Sequence, residues 1–242
     1  EVVVVDNASL DGTRMELAAF RNRVRVLLND RNTGFASAQN QAISACRSDW
    51  VLTLNPDVLL HPGFVAGLLD SSQHDTRVGT LCGKLLRIGK GFEPLPSPII
   101  DSTGIYFTPN LRHFDRGSGD PDEGQYPDTE YVFGASAAAA MYRRDMIEDV
   151  SGSDGFFDPD FFAYREDADV AWRAQLQGWR CLYVPSAVPS KYPPSTQVAV
   201  IVSVAIQIGI ERPATSRSAG VPSFTLRAAS QPTSRNEAYI AM

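Results

Sequence analysis

The sequence predicts an α/β fold with a mixed, mainly parallel sheet flanked by helices. Short apolar runs alternate with segments of helical spacing, which is typical of layered α/β domains. The first run, residues 2–5, is four consecutive valines, as expected of a strand buried on both faces in a parallel sheet. Acidic residues follow this run and a second run at 50–54. Open α/β sheets bind ligands at such strand ends, so the same pattern predicts a ligand site.

The individual elements follow from the hydrophobic spacing along the chain. We predict helices over 13–23, 36–46 and 167–177, with a further helix starting near Arg144 and with Gly178 as a helix stop. We predict strands over 2–5, 24–28, 50–54, 131–133 and 179–184. Residues 89–127 are rich in Gly, Pro, Ser and Asp and are too many for a simple connection. That stretch is predicted to be a functional or mobile loop region.

Composition limits the class of protein. The 242 residues, 43% of them hydrophobic, suffice for one domain with a single large core. A net charge of -6 argues against a nucleic-acid partner, because such proteins concentrate Lys and Arg. The three cysteines, Cys46, Cys82 and Cys181, lack CxxC spacing and predict neither a disulfide framework nor a zinc site. A reducing, cytoplasmic setting fits best.

The two ends of the chain differ from its middle. The chain opens directly on Glu1 and the valine run, without a leader, so we expect an N-terminally truncated domain over 1–188. Beyond it the composition shifts to Ser, Pro, Thr and Arg, which predicts a divergent, weakly ordered tail over 189–242. The apolar run 198–210 in this tail is much shorter than the roughly 20 residues that cross a bilayer. It favours a buried strand or a short helix.

Acidic residues lie at the ends of two predicted strands. Asp6 ends the valine run; taken alone, such a residue is more often a turn-former or helix cap than a functional group. Asp57 follows the second run within Asn55-Pro56-Asp57, where Pro56 fixes the backbone. This arrangement suits a single-carboxylate Mg²⁺ or Mn²⁺ site completed by substrate phosphates and water. It suits an ordinary turn equally well.

A third acidic cluster, Glu166, Asp167 and Asp169, opens a predicted helix directly after the aromatic stretch 161–164. The helix dipole favours acids in a first turn, which accounts for one or two of them without any function. Aromatic neighbours that partly desolvate a carboxylate raise its pKa, as a general base acting on a hydroxyl requires. The cluster therefore predicts acid–base chemistry.

Taken in order, these segments resemble the family-2 glycosyltransferases, most closely their rhamnosyltransferase-like members. The motifs that carry the resemblance are VVVVDNASLDGT at 2–13, NTGFA at 32–36, LNPD at 54–57, Gly134-Ala135 with Arg143-Arg144, GFFD at 155–158, and EDAD at 166–169 with Arg173. The resemblance covers residues 1–188. Each motif is weak alone, and their shared order and spacing make the resemblance specific.

The resemblance implies a GT-A-type, Rossmann-like fold and roles for the donor-side residues. Asp6 matches the strand-end acid that contacts the donor nucleobase, and the turn around it is shaped by Asn7, Ser9 and Asp11. Gly34 and Asn55 are implied to lie on the same donor side. Asp57 matches the acid that binds a divalent metal, Mg²⁺ or Mn²⁺, on the donor diphosphate. Asn55 replaces an Asp found in many relatives, so metal affinity is expected to depend mainly on Asp57.

The resemblance also implies the reaction. Asp167 matches the catalytic base, while Glu166 and Asp169 orient it or the acceptor; Arg173 pairs with one of these acids or lies near phosphate. A single displacement would move a sugar, with inversion, from a nucleotide-sugar donor to a glycan or lipid-linked acceptor. Such chemistry belongs to cell-wall or polysaccharide biosynthesis. Peripheral association with the inner face of a membrane is an open expectation.

Two departures from the family keep an alternative open. Relatives normally have an extra strand and helix before the motif at Asp6, and often a His a few residues after the strand that matches 181–184, where 185–192 has none. An inactive relative that binds nucleotide or glycan without turnover is therefore the alternative function. A nucleotidyltransferase would show a Gly-rich, basic phosphate loop near its first strand, and none is visible.

Two further sets of residues, the histidines and the large aromatics, are predicted to have mainly structural roles. The histidines are scattered and are predicted to be surface residues rather than ligands: His61, His74 and His113. The large aromatics near the acidic cluster are predicted to be core residues more often than walls of an acceptor site: Phe156, Phe157, Phe161, Phe162, Trp172 and Trp179.

Overall fold

The computed structural model describes residues 1–89 and 92–185 and, for the backbone alone, residues 198–204 and 237–241. Its helices are α1 (Thr13–Ala19), α2 (Phe35–Ala45), α3 (Phe64–Ser71), α4 (Arg144–Val150) and α5 (Glu166–Leu176). Its strands are β1 (Val2–Asp6), β2 (Arg25–Leu28), β3 (Trp50–Leu54), β4 (Val58–Leu60), β5 (Val78–Cys82), β6 (Lys84–Ile88), β7 (Ile100–Ser102), β8 (Ile105–Phe107), β9 (His113–Asp115), β10 (Glu130–Val132), β11 (Ala139–Arg143), β12 (Arg180–Tyr183), β13 (Val198–Val204) and β14 (Glu237–Ala241). The predicted helices and strands are all present, with ends shifted by a few residues.

The main sheet has eight strands in the order β10-β12-β5-β11-β3-β13-β1-β2. Strands β2, β1, β13 and β3 are parallel neighbours, and β12 is parallel to β5. Of the described strands of this sheet, only β11 and β10 pair antiparallel with their neighbours. The prediction of a mixed, mainly parallel sheet is therefore confirmed.

Helices cover both faces of this sheet, because alternate side chains of each buried strand point to opposite sides. On one face Val3, Val5 and Val51 pack in the cluster that contains residues of α2, α4 and α5. On the other face Trp50 and Leu52 pack with α3, and β1 packs with α1. The four-valine run is buried from both sides, as its lack of alternation predicts.

The structure differs from the prediction between residues 89 and 127. The described part of that region contains β7, β8 and β9 rather than loop alone. Strand β7 pairs with β6 in a second sheet of order β4-β14-β6-β7, and β8 forms a hairpin with β9. Each of these strands has three residues, which is too few for a period of two to stand out from the Gly- and Pro-rich background.

The segment after residue 188 contributes two of the described strands. Strand β13 lies between β1 and β3 and pairs in register with both, Val200 with Val2 and with Leu52. The apolar run there is thus a strand, one of the two interpretations its sequence allows. Residues 189–197, 205–236 and 242 lie outside the described residues, so a weakly ordered tail and a boundary at 188 stay predictions. Among the described residues, no helix is long and apolar enough to span a membrane.

Candidate active site

The candidate site lies along one edge of the main sheet. Strands β1, β13 and β3 are parallel, so Asp6 at the end of β1 and Asn55 just after β3 lie at the same edge. This is the edge at which the crevice of an open α/β sheet binds ligands. The acids that open α5 reach the same region through Asp167, whose Oδ2 accepts a hydrogen bond from the Ala137 N–H just before β11.

Asp6 is completely buried and has partners for both of its carboxylate oxygens. Arg14 donates from Nε to Oδ2 at 2.5 Å, and the Ser9 N–H donates to Oδ1 at 3.2 Å. A buried carboxylate needs such partners, because an unpaired charge in the interior is costly. In this structure Asp6 therefore holds the β1 turn in shape, and its contact with a nucleobase stays a prediction.

Asn7 joins the end of β1 to the segment before α2. Its Nδ2 donates to Asn32 Oδ1 at 2.9 Å and to the Gly34 carbonyl at 3.0 Å. Its Oδ1 accepts from Asn29 Nδ2 and from the N–H and hydroxyl of Thr33. With its side chain buried and fully hydrogen-bonded, Asn7 shapes the turn, as the family resemblance implies, and offers little to a bound molecule.

Ser9 and Asp11 complete the turn in different ways. Asp11 is exposed and accepts a hydrogen bond from the Thr13 N–H at 3.0 Å at the start of α1. Hydrogen bonds from Thr13 lower the pKa of this carboxyl. The Ser9 hydroxyl is buried and has no hydrogen-bond partner within the described residues. Of the residues in this turn, Ser9 is the one whose polar atom is available to a ligand.

The end of β3 supplies two buried oxygens. Asn55 Oδ1 and Asp57 Oδ1 are both inaccessible and both lack a hydrogen-bond partner in the part of the chain that the structure describes. Burial raises the pKa of Asp57, and the negative charge of Asp101 adds to the rise. Amide and carboxylate oxygens are the ligands that Mg²⁺ and Mn²⁺ prefer, so these residues fit a divalent cation.

Such a cation would need further ligands. Residues 1–89 and 92–185 contain no group of three or more His, Cys, Asp or Glu side chains placed to hold a metal. Mg²⁺ is commonly bound by one or two carboxylates together with substrate phosphates and water. The donor set at β3 agrees with a cation that arrives with a diphosphate, as the sequence predicts for Asp57.

The loop before α5 is held in a strained conformation. Phe162, Tyr164 and Arg165 all have positive φ, between 57° and 73°, which side-chain-bearing residues rarely adopt. The N–H of Phe35, at the start of α2, donates to the Phe162 carbonyl at 2.6 Å. Gly34 has φ +85°, and a Cβ there would lie 2.6 Å from that carbonyl oxygen. Gly34 thus permits the contact that fixes the acid-bearing loop, while a role in donor binding stays a prediction.

Glu166 and Asp167 are buried acids with different surroundings. Glu166 is 6% exposed, and its Oε2 has no partner among the described residues. Burial raises its pKa to about 7, and the charge of Asp167 adds to the rise. Asp167 accepts hydrogen bonds from the N–H groups of Ala137 at 3.2 Å and Ala168 at 2.8 Å. Burial also raises the pKa of Asp167, against the opposing effect of these hydrogen bonds.

Asp169 differs from the other two acids of the cluster. Both Nε and an Nη of Arg173 donate to its Oδ2, at 2.8 and 2.6 Å. Arg173 also donates to the carbonyls of Val150 and Phe156. Of the two alternatives for Arg173, the structure has the ion pair with an acid. Asp169 and Arg173 fasten α5 to the end of α4 and to the loop at Phe156, and an orienting role for Asp169 stays a prediction.

Two residues on the β8–β9 hairpin belong to the site and were not singled out as such from the sequence. His113, interpreted as a surface residue, is half-buried on β9 and acts electrostatically on Asp167, whose pKa it lowers. Asp115 accepts from the Ser102 hydroxyl at 2.7 Å. Burial raises its pKa to about 6, and the charges of Asp167 and Asp101 add to the rise. The tripeptide His-Phe-Asp at 113–115 was the only available signal, and nothing near it in sequence marks its partner.

The aromatic residues divide between core and surface. Phe156, Phe157 and Trp179 are buried, as the core interpretation predicts. Phe162 and Trp172 are 46% and 40% exposed and lie beside the acids of α5. Trp172 packs on Phe107 of β8, with ring centroids 5.3 Å apart. Of the aromatic residues singled out from the sequence, Phe162 and Trp172 are thus exposed enough to wall a substrate site.

Comparison with known proteins identifies the family. The family model for glycosyl transferase family 2 matches residues 1–151, and that for glycosyl transferase family group 2 matches residues 129–206. The chain is 30% identical, over 202 residues, to an N-acetylglucosaminyl-diphospho-decaprenol L-rhamnosyltransferase of Mycobacterium tuberculosis. That alignment covers 77% of this chain and 64% of the relative, so the chain spans less than two thirds of the relative's length.

Two further similarities extend this result. A poly-beta-1,6-N-acetyl-D-glucosamine synthase of Staphylococcus aureus is 21% identical over 201 residues, 78% of this chain and 42% of that protein. The crystal structure of GalNAc-T7 with UDP, GalNAc and Mn²⁺ superposes with a TM-score of 0.60 at 15% identity, over 76% of this chain and 36% of that one, which indicates a common fold. By its sequence motifs and its architecture, the chain belongs to glycosyl transferase family 2 and has a GT-A-type α/β fold.

Proposed function

We propose that this domain transfers a sugar from a nucleotide-sugar donor to a glycan or lipid-linked acceptor, with inversion at the anomeric carbon. The observation that carries the proposal is the pair of buried oxygens on Asn55 and Asp57, which lack partners among the described residues and lie at the ligand-binding edge of the sheet. Buried polar atoms are nearly always satisfied in native proteins, so an unsatisfied pair at a sheet edge marks a place for a ligand.

The donor half of the site is the edge formed by β1 and β3. Asp57, assisted by Asn55, would hold a divalent cation, and the cation would supply positive charge to the leaving diphosphate. The turn after β1 is fixed by Asn7 and Asp6, and it presents the Ser9 hydroxyl, which has no partner in the described part of the chain. We assign the nucleoside to this turn.

The acceptor half is the start of α5. Asp167 would accept the proton of the acceptor hydroxyl while that oxygen attacks the anomeric carbon. Two backbone N–H groups orient its carboxylate, and its raised pKa makes it a better base than an exposed aspartate. Glu166 would lie behind it, and Asp169 would hold the helix through Arg173.

Acidic side chains link the two halves of the site through electrostatic interactions. The charge of Asp101 acts on Asp57, and the charges of Asp101 and Asp167 both act on Asp115. Negative charges that raise the pKa of Asp57 and Asp115 are unfavourable to the ionised acids without a cation, and a bound Mg²⁺ or Mn²⁺ would relieve the repulsion. This accounts for an acidic site in a protein whose donor carries a diphosphate.

The relatives suggest the class of acceptor. The name of the Mycobacterium tuberculosis relative describes transfer of L-rhamnose to a diphospho-decaprenol-linked N-acetylglucosamine. We propose a lipid-linked or polymeric sugar acceptor for this chain, at the cytoplasmic face of a membrane with which the protein associates peripherally. The work of the domain would then be in cell-wall or polysaccharide biosynthesis.

The experiment that tests the proposal is metal-dependent turnover. The purified chain is incubated with Mn²⁺ and a panel of UDP- and dTDP-linked sugars, and release of the nucleoside diphosphate is measured. Asp57→Ala should weaken Mn²⁺-dependent nucleotide binding at least about tenfold, because even the outer partners of metal ligands have effects of that size. Asp128→Ala, in an exposed loop, is the matched control.

The outcomes separate the two functions that the sequence leaves open. Release of diphosphate that requires Asp57 supports a transferase. Mn²⁺-dependent binding without release from any sugar nucleotide supports a relative that binds without turnover. Unchanged Mn²⁺ affinity in Asp57→Ala contradicts the assignment of the metal site.

A further inference from the structure

We propose that the β8–β9 hairpin forms a subsite that binds an uncharged sugar ring of the acceptor. This inference rests on the proposed transfer function and adds the location and chemistry of the acceptor site. The hairpin encloses, with the turn after it, a cavity of about 600 Å³ lined by Tyr106, His113, Phe114, Asp115, Gly117, Ser118 and Asp120. That volume lies within the range of small-molecule sites.

The outer face of the hairpin carries a stacked aromatic pair. Tyr106 and Phe114 lie directly opposite each other on the two strands, with ring centroids 5.7 Å apart and planes inclined by 28°. They are 43% and 46% exposed. Two neighbouring aromatic rings rarely stay half in water unless another surface covers them, and the apolar face of a sugar ring is a surface of matching size.

The polar groups of the cavity indicate a neutral, hydroxyl-rich occupant. Asp115 and Asp120 provide carboxylate oxygens, which accept hydrogen bonds from hydroxyl groups. No Lys or Arg belongs to the described lining, and the Arg87 guanidinium, which donates to the Ser118 hydroxyl, is paired with Asp101. Two carboxylates without a free cation repel a phosphate or diphosphate. The cavity therefore suits the sugar of the acceptor rather than the donor phosphates or a lipid diphosphate.

The inner face of the hairpin fixes the cavity relative to the catalytic helix. Phe107 packs between Phe133, at a centroid distance of 4.4 Å, and Trp172 of α5, at 5.3 Å. The Ile105 N–H donates to the Gly134 carbonyl at 2.7 Å, close in sequence to Ala137, whose N–H binds Asp167. His113 belongs to the cavity lining and also acts electrostatically on Asp167. The hairpin that carries the cavity is therefore packed against α5, the helix that carries Asp167.

The first test is direct binding of simple sugars. N-acetylglucosamine and methyl rhamnoside are used as probes in saturation-transfer NMR, with the parent chain saturated by UDP and Mn²⁺. We expect transfer to the ring protons of at least one sugar, and its loss in a Tyr106→Ala/Phe114→Ala double variant. Nucleotide binding should be unchanged in that variant. Tyr131→Ala, which removes a similarly exposed ring on β10, is the matched control and should keep the signal.

The second test uses steady-state kinetics with the best donor and acceptor. Tyr106→Ala and Phe114→Ala should each raise the acceptor KM about tenfold, the size expected for loss of one well-placed aromatic contact. The donor KM and kcat should stay near the parent values. Tyr106→Phe and Phe114→Tyr keep the rings and should keep the parent KM, whereas a merely structural role of the rings would make the alanine variants change kcat and the donor KM as well.

The outcomes distinguish this subsite from the transfer function itself. Equal sugar signals in the parent and the double variant, no sugar signal in the parent, or an equal loss in Tyr131→Ala would each overturn the subsite. Transfer with an unaltered acceptor KM in the alanine variants would overturn it while leaving the function intact. A parent chain that binds the sugar probe on the hairpin but turns over no donor would support the subsite and contradict the transferase.

Discussion

The buried polar side chains of the site have hydrogen-bond partners at the end of β1, and some of those at β3 and α5 lack them. At the end of β1, Asp6 has a partner on each oxygen and Asn7 uses every polar atom of its side chain. At the end of β3 and the start of α5, Asp57 and Glu166 each bury an oxygen that has no partner in the described residues. All four residues were predicted from strand ends or helix starts, so position alone does not distinguish them.

This difference distinguishes residues that stabilise the fold of the site from residues that are available to bind a ligand or transfer a proton. A satisfied buried acid contributes to folding, and removing its partner leaves an uncompensated charge. An unsatisfied buried acid opposes folding, and its presence is explained by what it binds or by the proton it moves. Substitutions at Asp6 or its partner should therefore lower stability, whereas substitutions at Asp57 and Glu166 should lower activity and leave stability unchanged or higher.

The largest expected effect is on transfer by Asp167→Asn. The amide keeps the size of the carboxylate and cannot accept a proton, so the rate of transfer should fall about 10²–10⁴-fold, the usual contribution of general-base catalysis. Donor binding should change little, and the free energy of unfolding should fall modestly, because the amide NH2 cannot accept one of the two backbone hydrogen bonds that the carboxylate accepts. Initial rates of transfer, together with nucleotide titrations, check the prediction.

The neighbouring acid serves as the control for this assignment. Glu166→Gln should retain more activity than Asp167→Asn, because Glu166 is buried behind the reacting edge. If Asp167→Asn transfers sugar at nearly the parent rate while Glu166→Gln does not, the base is Glu166. That result would support the comparison, because the base would then be the acid that has an unpartnered buried oxygen.

The second effect is the pH dependence of stability that Glu166 imposes. Its pKa rises from 4.5 in the unfolded chain to about 7 in the fold, so the folded state binds more protons between those values. Stability contributed by the protonated carboxyl is present below pH 4.5 and is lost as pH rises through about 7. The loss is up to about 3 kcal/mol at high pH.

Glu166→Gln removes this titration. We expect the variant to match the parent near pH 5 and to exceed it in free energy of unfolding near pH 8, as measured by urea unfolding at both values. A parent chain whose stability does not decline across this window relative to the variant would show that Glu166 is not protonated by burial.

The third effect concerns the satisfied acid at β1. Arg14→Met leaves Asp6 buried without its cation, a change that costs about 3–5 kcal/mol for a fully buried pair. Because the Arg14 side chain is 42% exposed and water can replace part of the contact, we expect about 2 kcal/mol. Urea unfolding measures the loss, with Arg21→Met on the exposed end of the α1 region as control. An unaltered free energy of unfolding would place Asp6 with the unsatisfied acids.

The last expected effect is at the contact between α2 and the loop before α5. Gly34→Ala introduces a Cβ that would lie 2.6 Å from the Phe162 carbonyl and strains a φ of +85°, at a cost of about 1–3 kcal/mol. Gly12→Ala is a matched control, because a Cβ there meets no atom within 4 Å. If Gly34→Ala is as stable as Gly12→Ala, the contact between α2 and the acid-bearing loop does not hold the site together.

The sequence predicts the fold and the positions of the acids better than it predicts their partners. The valine run and Asp57 were found because local patterns report burial and strand ends. Arg14 and Arg173 could not be assigned to Asp6 and Asp169 with the same ease, since several cations lie near in sequence and only the fold selects one. Whether a buried acid is satisfied depends on contacts that a single sequence does not show.

The β8–β9 hairpin marks the other limit of sequence reasoning. His113 reaches the surroundings of Asp167 across a chain separation that no local pattern spans, and its three-residue strand is too short to show a period. The surrounding Gly- and Pro-rich segment suggested loop alone and contains three strands, while its functional role stays a prediction. Short strands within long irregular segments, and the residues that they carry, are therefore difficult to predict from the sequence of such a protein.

The position of β13 affects how the chain can assemble. Val200 lies between Val2 and Leu52 in the sheet, although it is much farther from both of them in sequence than they are from each other. Strand β1 ends at Asp6, and β3 ends just before Asn55. These two strands cannot reach their final spacing until segment 198–204 has been synthesised, although both strands are made much earlier. Pairings so distant along the chain close slowly. The sheet edge that carries the candidate site can therefore be completed only after β13 has been made, long after β1 and β3.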